Sequence, residues 1–126
     1  MSVIATSEDF AFVDRLLASW ASWGRAFGIP RCSQPSIRYS SGRDSMPHTL
    51  SLSDDEFSAV DKAVAGLHPD FRAVLLLHYC QHPGATRTRK AAMQGISLRY
   101  YNVLLHQAQL DVIQALGAML YELQSL

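Results

Sequence analysis

Cysteine is scarce in this chain of 126 residues: there are two, Cys32 and Cys80, and no Cys-x-x-Cys pair. That excludes a disulfide framework and makes a reducing cytoplasm the expected compartment. No run of about 18 apolar residues occurs, so no transmembrane helix is expected. The opening stretch MSVIATSEDF meets acids within ten residues and has no basic segment, so no secretory signal is expected either. Alternating strand patterns and internal repeats are missing, and the one low-complexity tract is serine-rich. There is no nucleophile elbow, no P-loop and no Gly-x-Gly-x-x-Gly, so neither enzymatic activity nor a cofactor is expected.

What is present suffices for one domain with a real core. Hydrophobic residues make up 48% of the chain and the mean hydropathy is +0.02. The formal net charge of +0 hides an uneven distribution. Residues 54–70 hold Asp54, Asp55, Glu56, Asp61 and Asp70 against Lys62 alone. Residues 71–106 hold Arg72, Arg87, Arg89, Lys90 and Arg99 and no acid, and residues 31–43 add Arg31, Arg38 and Arg43. Polyanion binding follows local potential, so a neutral total is compatible with nucleic acid.

The helical signals are strong. Residues 7–27 carry Phe12, Leu16, Trp20, Trp23 and Phe27 at steps of three and four, with Ser7 as the expected cap. Gly28 and Pro30 close this first unit, residues 1–28. Residues 29–53 hold three prolines, many serines and three arginines without an apolar period, and read as a long irregular arm. Residues 54–126 read as one helical block. Ser53 and Glu56 form a capping box, followed by the stripe Phe57, Val60, Val64 and Leu67. Pro69 suits the first turn of a second helix. That helix is apolar nearly all round, through Phe71, Val74, Leu75, Leu76, Leu77, Tyr79 and Cys80, and is expected to be central. A short basic helix follows from about Arg87 to Gln94, ended by Gly95. Ser97 caps a last helix whose stripe is Tyr101, Leu105, Ala108, Val112, Ala115, Met119 and Leu123. Unbroken, it would span about 40 Å, with Gly117 as a site for a bend. The expected fold is an all-α bundle with an N-terminal helix, a helix-turn-helix, a long C-terminal helix and the arm.

The helix-turn-helix is the informative unit. It needs a small residue where the helices cross, a residue tolerant of unusual backbone angles in the turn, and apolar residues beyond it. Ala91, Gly95, Ile96 and Leu104 have that spacing. On such a unit Arg87, Thr88, Arg89 and Lys90 can contact phosphates. Ser97, Arg99, Tyr100, Asn102 and His106 lie in the first turns of the recognition helix, with Arg99 and Asn102 able to reach base edges.

Two stretches resemble the phage late-gene antitermination proteins of the Q type, in their small zinc-free branch. One is Trp20-Ala21-Ser22-Trp23-Gly24-Arg25. The other runs from His68-Pro69-Asp70-Phe71 through Leu77-His78-Tyr79 and Arg89-Lys90-Ala91-Ala92-Met93-Gln94-Gly95-Ile96-Ser97 to Leu104 and Ala108. The likeness covers residues 16–116 and is one of order and spacing. The chain departs from it in the loop Gln81-His82-Pro83-Gly84-Ala85, which is longer and contains proline. The resemblance implies a helical block similar to the promoter-reading part of sigma factors. It also implies, in the cytoplasm of a bacterial host cell, binding to double-stranded DNA beside a late promoter, engagement of host RNA polymerase with or without its sigma factor, and suppression of termination at the RNA exit channel. Arg87, Arg89, Lys90, Arg99, Tyr100 and Asn102 would then be the DNA-reading residues.

Other readings stand beside these. A helix-turn-helix repressor or activator working only at initiation would dimerise through the last helix. A pure interaction module would set its basic segment against an acidic protein. Arg31, Arg38 and Arg43 are candidate arm contacts to a nucleic-acid backbone, or belong to a solvated loop. Trp20 and Trp23 suit core packing or a partner contact. His78, Cys80 and His82 alternate, but on a continuous helix they splay by about 200° per step of two. A buried Cys80 with surface histidines is therefore expected, rather than a metal site. Asp54, Asp55 and Glu56 suit a helix N-terminus.

Overall fold

The computed structural model describes residues 5–26, 50–82 and 84–125. Arg31, Arg38, Arg43, Cys32 and Phe27 lie outside the described residues, as does most of the expected arm. All regular structure among the described residues is helical, so the fold is all-α, a helical bundle.

Helix α1 spans Ser7–Ala26. Its cap is Thr6, one residue before the expected Ser7. The Thr6 hydroxyl accepts from the Asp9 amide at 3.1 Å, and the Asp9 carboxylate accepts from the Thr6 amide at 3.0 Å. That is a capping box. The buried face of α1 is Val13, Leu16, Leu17, Trp20 and Ala21, rotated from the expected stripe, which leaves Phe12 and Trp23 half-buried at its border. Helix α2, Asp54–Ala65, begins at Ser53 with the expected capping box and buries Phe57, Val60 and Val64. Its acids meet the indoles of α1. Trp20 Nε1 donates to Asp61 at 3.2 Å, Trp23 Nε1 donates to Asp54 at 3.1 Å, and Trp23 stacks on Phe57. Just ahead of α2, Leu50 and Leu52 pack on the core, and the Leu50 amide donates to Ser19 at 2.9 Å. Residues 50–53, the end of the expected irregular arm, are thus without regular structure but anchored to the core.

Helix α3, Pro69–Leu75, has the expected proline in its first turn and continues as a π-helical segment, Leu76–Gln81. The expected single regular helix is thus widened at its end, where the His82 amide reaches Leu77 O at 3.2 Å. A helix end leaves its last carbonyls without helical donors. Here two cations supply them: Lys90 Nζ donates to His78 O at 3.0 Å, and Arg25 Nη1 reaches Tyr79 O and Cys80 O at 3.4 Å each. A cation at this end also matches the helix dipole.

Helix α4 is Arg87–Gln94 and helix α5 is Leu98–Leu116. Helix α5, rather than α3, is the hub, in contact with α1, α2, α3, α4 and the final helix α6, Ala118–Gln124. The long last helix is therefore broken in two. Gly117, at φ 55° and ψ −128°, turns the chain by 94° between α5 and α6. Around the break the buried stripe departs from the expected one: Leu116 and Leu120 take the places of Ala115, which is exposed, and Met119, which is half-buried, while Leu123 is buried as expected. The Gln124 amide donates to Asp9 at 3.0 Å and fastens α6 to the start of α1. Gly117 adopts a backbone conformation that is essentially confined to glycine, whereas an added Cβ would meet only Gln114 O at 3.8 Å. Gly117→Ala is therefore expected to lower stability by about 1–3 kcal/mol through backbone strain alone, read as a lower midpoint in urea unfolding.

Candidate nucleic-acid interface

The helix-turn-helix is built by local rules. Thr86 caps α4, its hydroxyl accepting from the Arg89 amide at 3.1 Å. Gly95 takes the left-handed conformation, φ 72° and ψ 28°. The Gly95 amide bonds Ala92 O and the Ile96 amide bonds Ala91 O, which closes α4 as a Schellman turn. Ser97 then caps α5 by accepting from the Tyr100 amide at 3.1 Å. Ala91 is buried, Ile96 packs on the core, and Tyr101, Leu105 and Ala108 form the buried side of α5. Leu104, the expected anchor, is only half-buried; Leu105 takes that place.

The opposite side of the pair is exposed and cationic. Arg87, Thr88, Arg89, Ser97, Arg99, Tyr100, Asn102 and His106 are all exposed. The guanidinium groups of Arg89 and Arg99 have no hydrogen-bond or ion-pair partner among the described residues. Arg87 Nη1 donates to Asn102 Oδ1 at 3.0 Å, bridging α4 and α5. His106 stacks on Phe10 of α1, ring centroids 4.4 Å apart, so it closes the face at its far end. Leu98, Tyr100 and Val103 add apolar surface, 40%, 51% and 51% exposed.

Lys90 corrects the expected set. It is 3% exposed and points inward to the π-helical segment, so it cannot meet a phosphate. Two positions in a row at this point of α4, Lys90 and Ala91, face the core, and the lysine stem is long enough to bring its ammonium to the orphan carbonyl. Lys90 Nζ also lies 3.4 Å from His78 Nδ1, which is 2.7 Å from the Tyr101 hydroxyl. An ammonium only donates, so the neutral Nε2–H tautomer of His78 fits, with its Nδ1 lone pair toward both donors. Burial pushes His78 down to about 4, and the Lys90 and Arg87 charges push the same way while Asp14 opposes them. Burial lowers Lys90 below its usual value and raises Tyr101 to about 12. A second buried chain lies behind the site. The Tyr79 hydroxyl donates to Asp14 at 2.6 Å and accepts from Gln109 at 2.7 Å; burial, then the Asp14 carboxylate, holds this phenol well above its usual range. None of these nonlocal bonds has a local sequence signal.

His78 has a lower affinity for protons when folded than when unfolded. Its contribution to stability is complete above about pH 6.5 and is lost as pH falls from there to about 4. Asp9, lowered first by its backbone bond from Thr6, adds a further loss below its ordinary value of 3.8. Urea midpoints are expected to hold down to about pH 6.5 and then to fall toward about pH 4, and His78→Gln is expected to flatten that fall.

Cys80 is fully buried, and no group of three His, Cys, Asp or Glu converges among the described residues. A groove of about 500 Å³ opens between the π-helical segment and the end of α4, lined mainly by Leu76, Leu77, Met93 and amide side chains. No single helix among the described residues is long and apolar enough to cross a membrane. No protein-family model, curated protein or solved structure matches this chain.

Proposed function

We propose that the protein binds duplex DNA through the α4–α5 pair and regulates transcription as an antiterminator that engages bacterial RNA polymerase. The observation that carries the DNA reading is the pair Arg89 and Arg99, exposed and unpartnered among the described residues on a Gly95-hinged helix pair. Charges left without internal partners on one face suit a polyanion, and a capped helix with an exposed outer side suits the major groove. Two arginines at the phosphates, Arg87 and Arg89, give a salt slope of about −2, and Arg89→Ala is expected to reduce it by about 1. The step from DNA binding to antitermination rests on the sequence resemblance.

Transcription in vitro with purified bacterial polymerase tests the whole reading. The template carries a phage late promoter, its downstream pause and an intrinsic terminator. Read-through that requires the promoter-proximal DNA and is lost in Arg99→Ala is expected. Unchanged termination, with initiation raised or lowered, would move the protein to the regulators that act only at initiation. That alternative relied on the last helix to pair two copies; instead α5 packs on α1 and α6 folds back within the chain.

A further inference from the structure

We propose that the exposed end of α5 reads a guanine close to a thymine in the major groove, and that it takes the thymine by its methyl group. The inference rests on the duplex-DNA reading above. It comes from which hydrogen-bonding groups this face has left to offer.

Arg87 contributes only donors, so the bond at 3.0 Å fixes the Asn102 amide with its oxygen toward α4. Asn102 then turns its NH₂ outward. The bidentate asparagine–adenine pair needs that oxygen at the base edge, beside the NH₂, to accept from the adenine amino group, and here it is turned toward Arg87 instead. Arg99 also only donates, and residues 71–106 contain no carboxylate to accept from cytosine. The charged and amide groups of the face thus match the acceptor edges, O6 and N7 of guanine and O4 of thymine. Arg99 is the residue suited to a bidentate bond with guanine.

Val103 supplies the second half. It follows Arg99 by four residues, one turn further along the same outward side of α5, and is 51% exposed. An isolated exposed apolar residue means little. Here, however, Leu98 and Val103 flank Arg99 and Asn102 on the surface that would enter the groove, where the thymine methyl is the apolar group a base presents. Four helical residues cover about 6 Å, less than two base-pair rises of about 3.4 Å, so the guanine and the thymine lie within two steps of each other. The Phe10–His106 stack bounds the reading surface beyond Val103.

The test begins with selection of sites from a randomised duplex pool at low salt, followed by base analogues in the selected site. Uracil in place of the thymine removes the methyl group and no hydrogen-bonding atom. It is expected to weaken binding about fourfold, the value of one buried apolar carbon. 7-Deazaguanine at the guanine is expected to weaken it about tenfold or more. Val103→Ala, a change at an exposed position, is expected to bind thymine and uracil sites alike, with an unchanged unfolding midpoint. Duplex binding with no enriched sequence, or with equal affinity for uracil and thymine sites, would overturn the inference and leave the DNA reading intact. Equal uracil sensitivity in Val103→Ala would overturn the role of Val103. Failure of every duplex to bind would remove both.

Discussion

Trp20→Ala is expected to destabilise the protein by about 3–5 kcal/mol, a large share of the 5–15 kcal/mol typical of a domain. Trp20 is the largest fully buried side chain, and its indole donates across to Asp61 of α2. Alanine there removes the ring from between α1 and the rest of the core and withdraws that donor from Asp61. Trp20→Phe keeps most of the apolar volume and is expected to cost less than half as much. Urea unfolding followed by circular dichroism reads both. A loss below about 1 kcal/mol for the alanine variant would mean that α1 is not seated as described.

Lys90→Ala is expected to act on stability rather than on DNA. It leaves His78 O without its donor at the end of the π-helical segment and strips the buried lysine stem from α4. Loss of a hydrogen bond from a charged group, together with that packing, is expected to cost about 2–3 kcal/mol. Arg89→Ala, one residue away, is expected to leave the unfolding midpoint unchanged and to weaken DNA binding, because its guanidinium is exposed and unpartnered among the described residues. The two neighbours thus separate cleanly: one variant shifts the midpoint, the other the affinity. Were Lys90→Ala as stable as the wild type and weaker only on DNA, its inward placement would be wrong.

Most of the helix boundaries were legible because they are set by neighbours in sequence. Ser53 with Glu56, Pro69 in a first turn, Gly95 and Ser97 each act within three or four residues, and each stands where the pattern puts it. Thr6 and Asp9 had the same kind of signal, offset by one residue from the more obvious Ser7. What the pattern could not convey is set by distant partners. The inward turn of Lys90 depends on the carbonyl of His78, twelve residues earlier, and in sequence it reads as one more cation beside Arg87 and Arg89. The π-helical widening has no local cue. The Tyr79–Asp14–Gln109 chain joins three elements far apart in sequence. Gly117 was legible as a place to bend, but the size of the bend follows from how Leu120 and Leu123 reach the core once α5 ends. On the interface, spacing identified the helix pair and its cations. The Arg87–Asn102 bridge and the Phe10–His106 stack, on which the proposed base reading rests, required the packed structure.

Binding of fluorescent duplex DNA across a range of salt concentrations, by the wild type and by the double variant Arg89→Ala/Arg99→Ala, probes the α4–α5 face most directly. The wild type is expected to bind at low salt with a slope of about −2, and the double variant to lose about one unit of that slope with Arg89 and most of the affinity with both arginines. Its unfolding midpoint should stay where the wild type's is. Absence of duplex binding by the wild type at low salt, or a double variant that binds as tightly as the wild type, would contradict the assignment of this face to DNA.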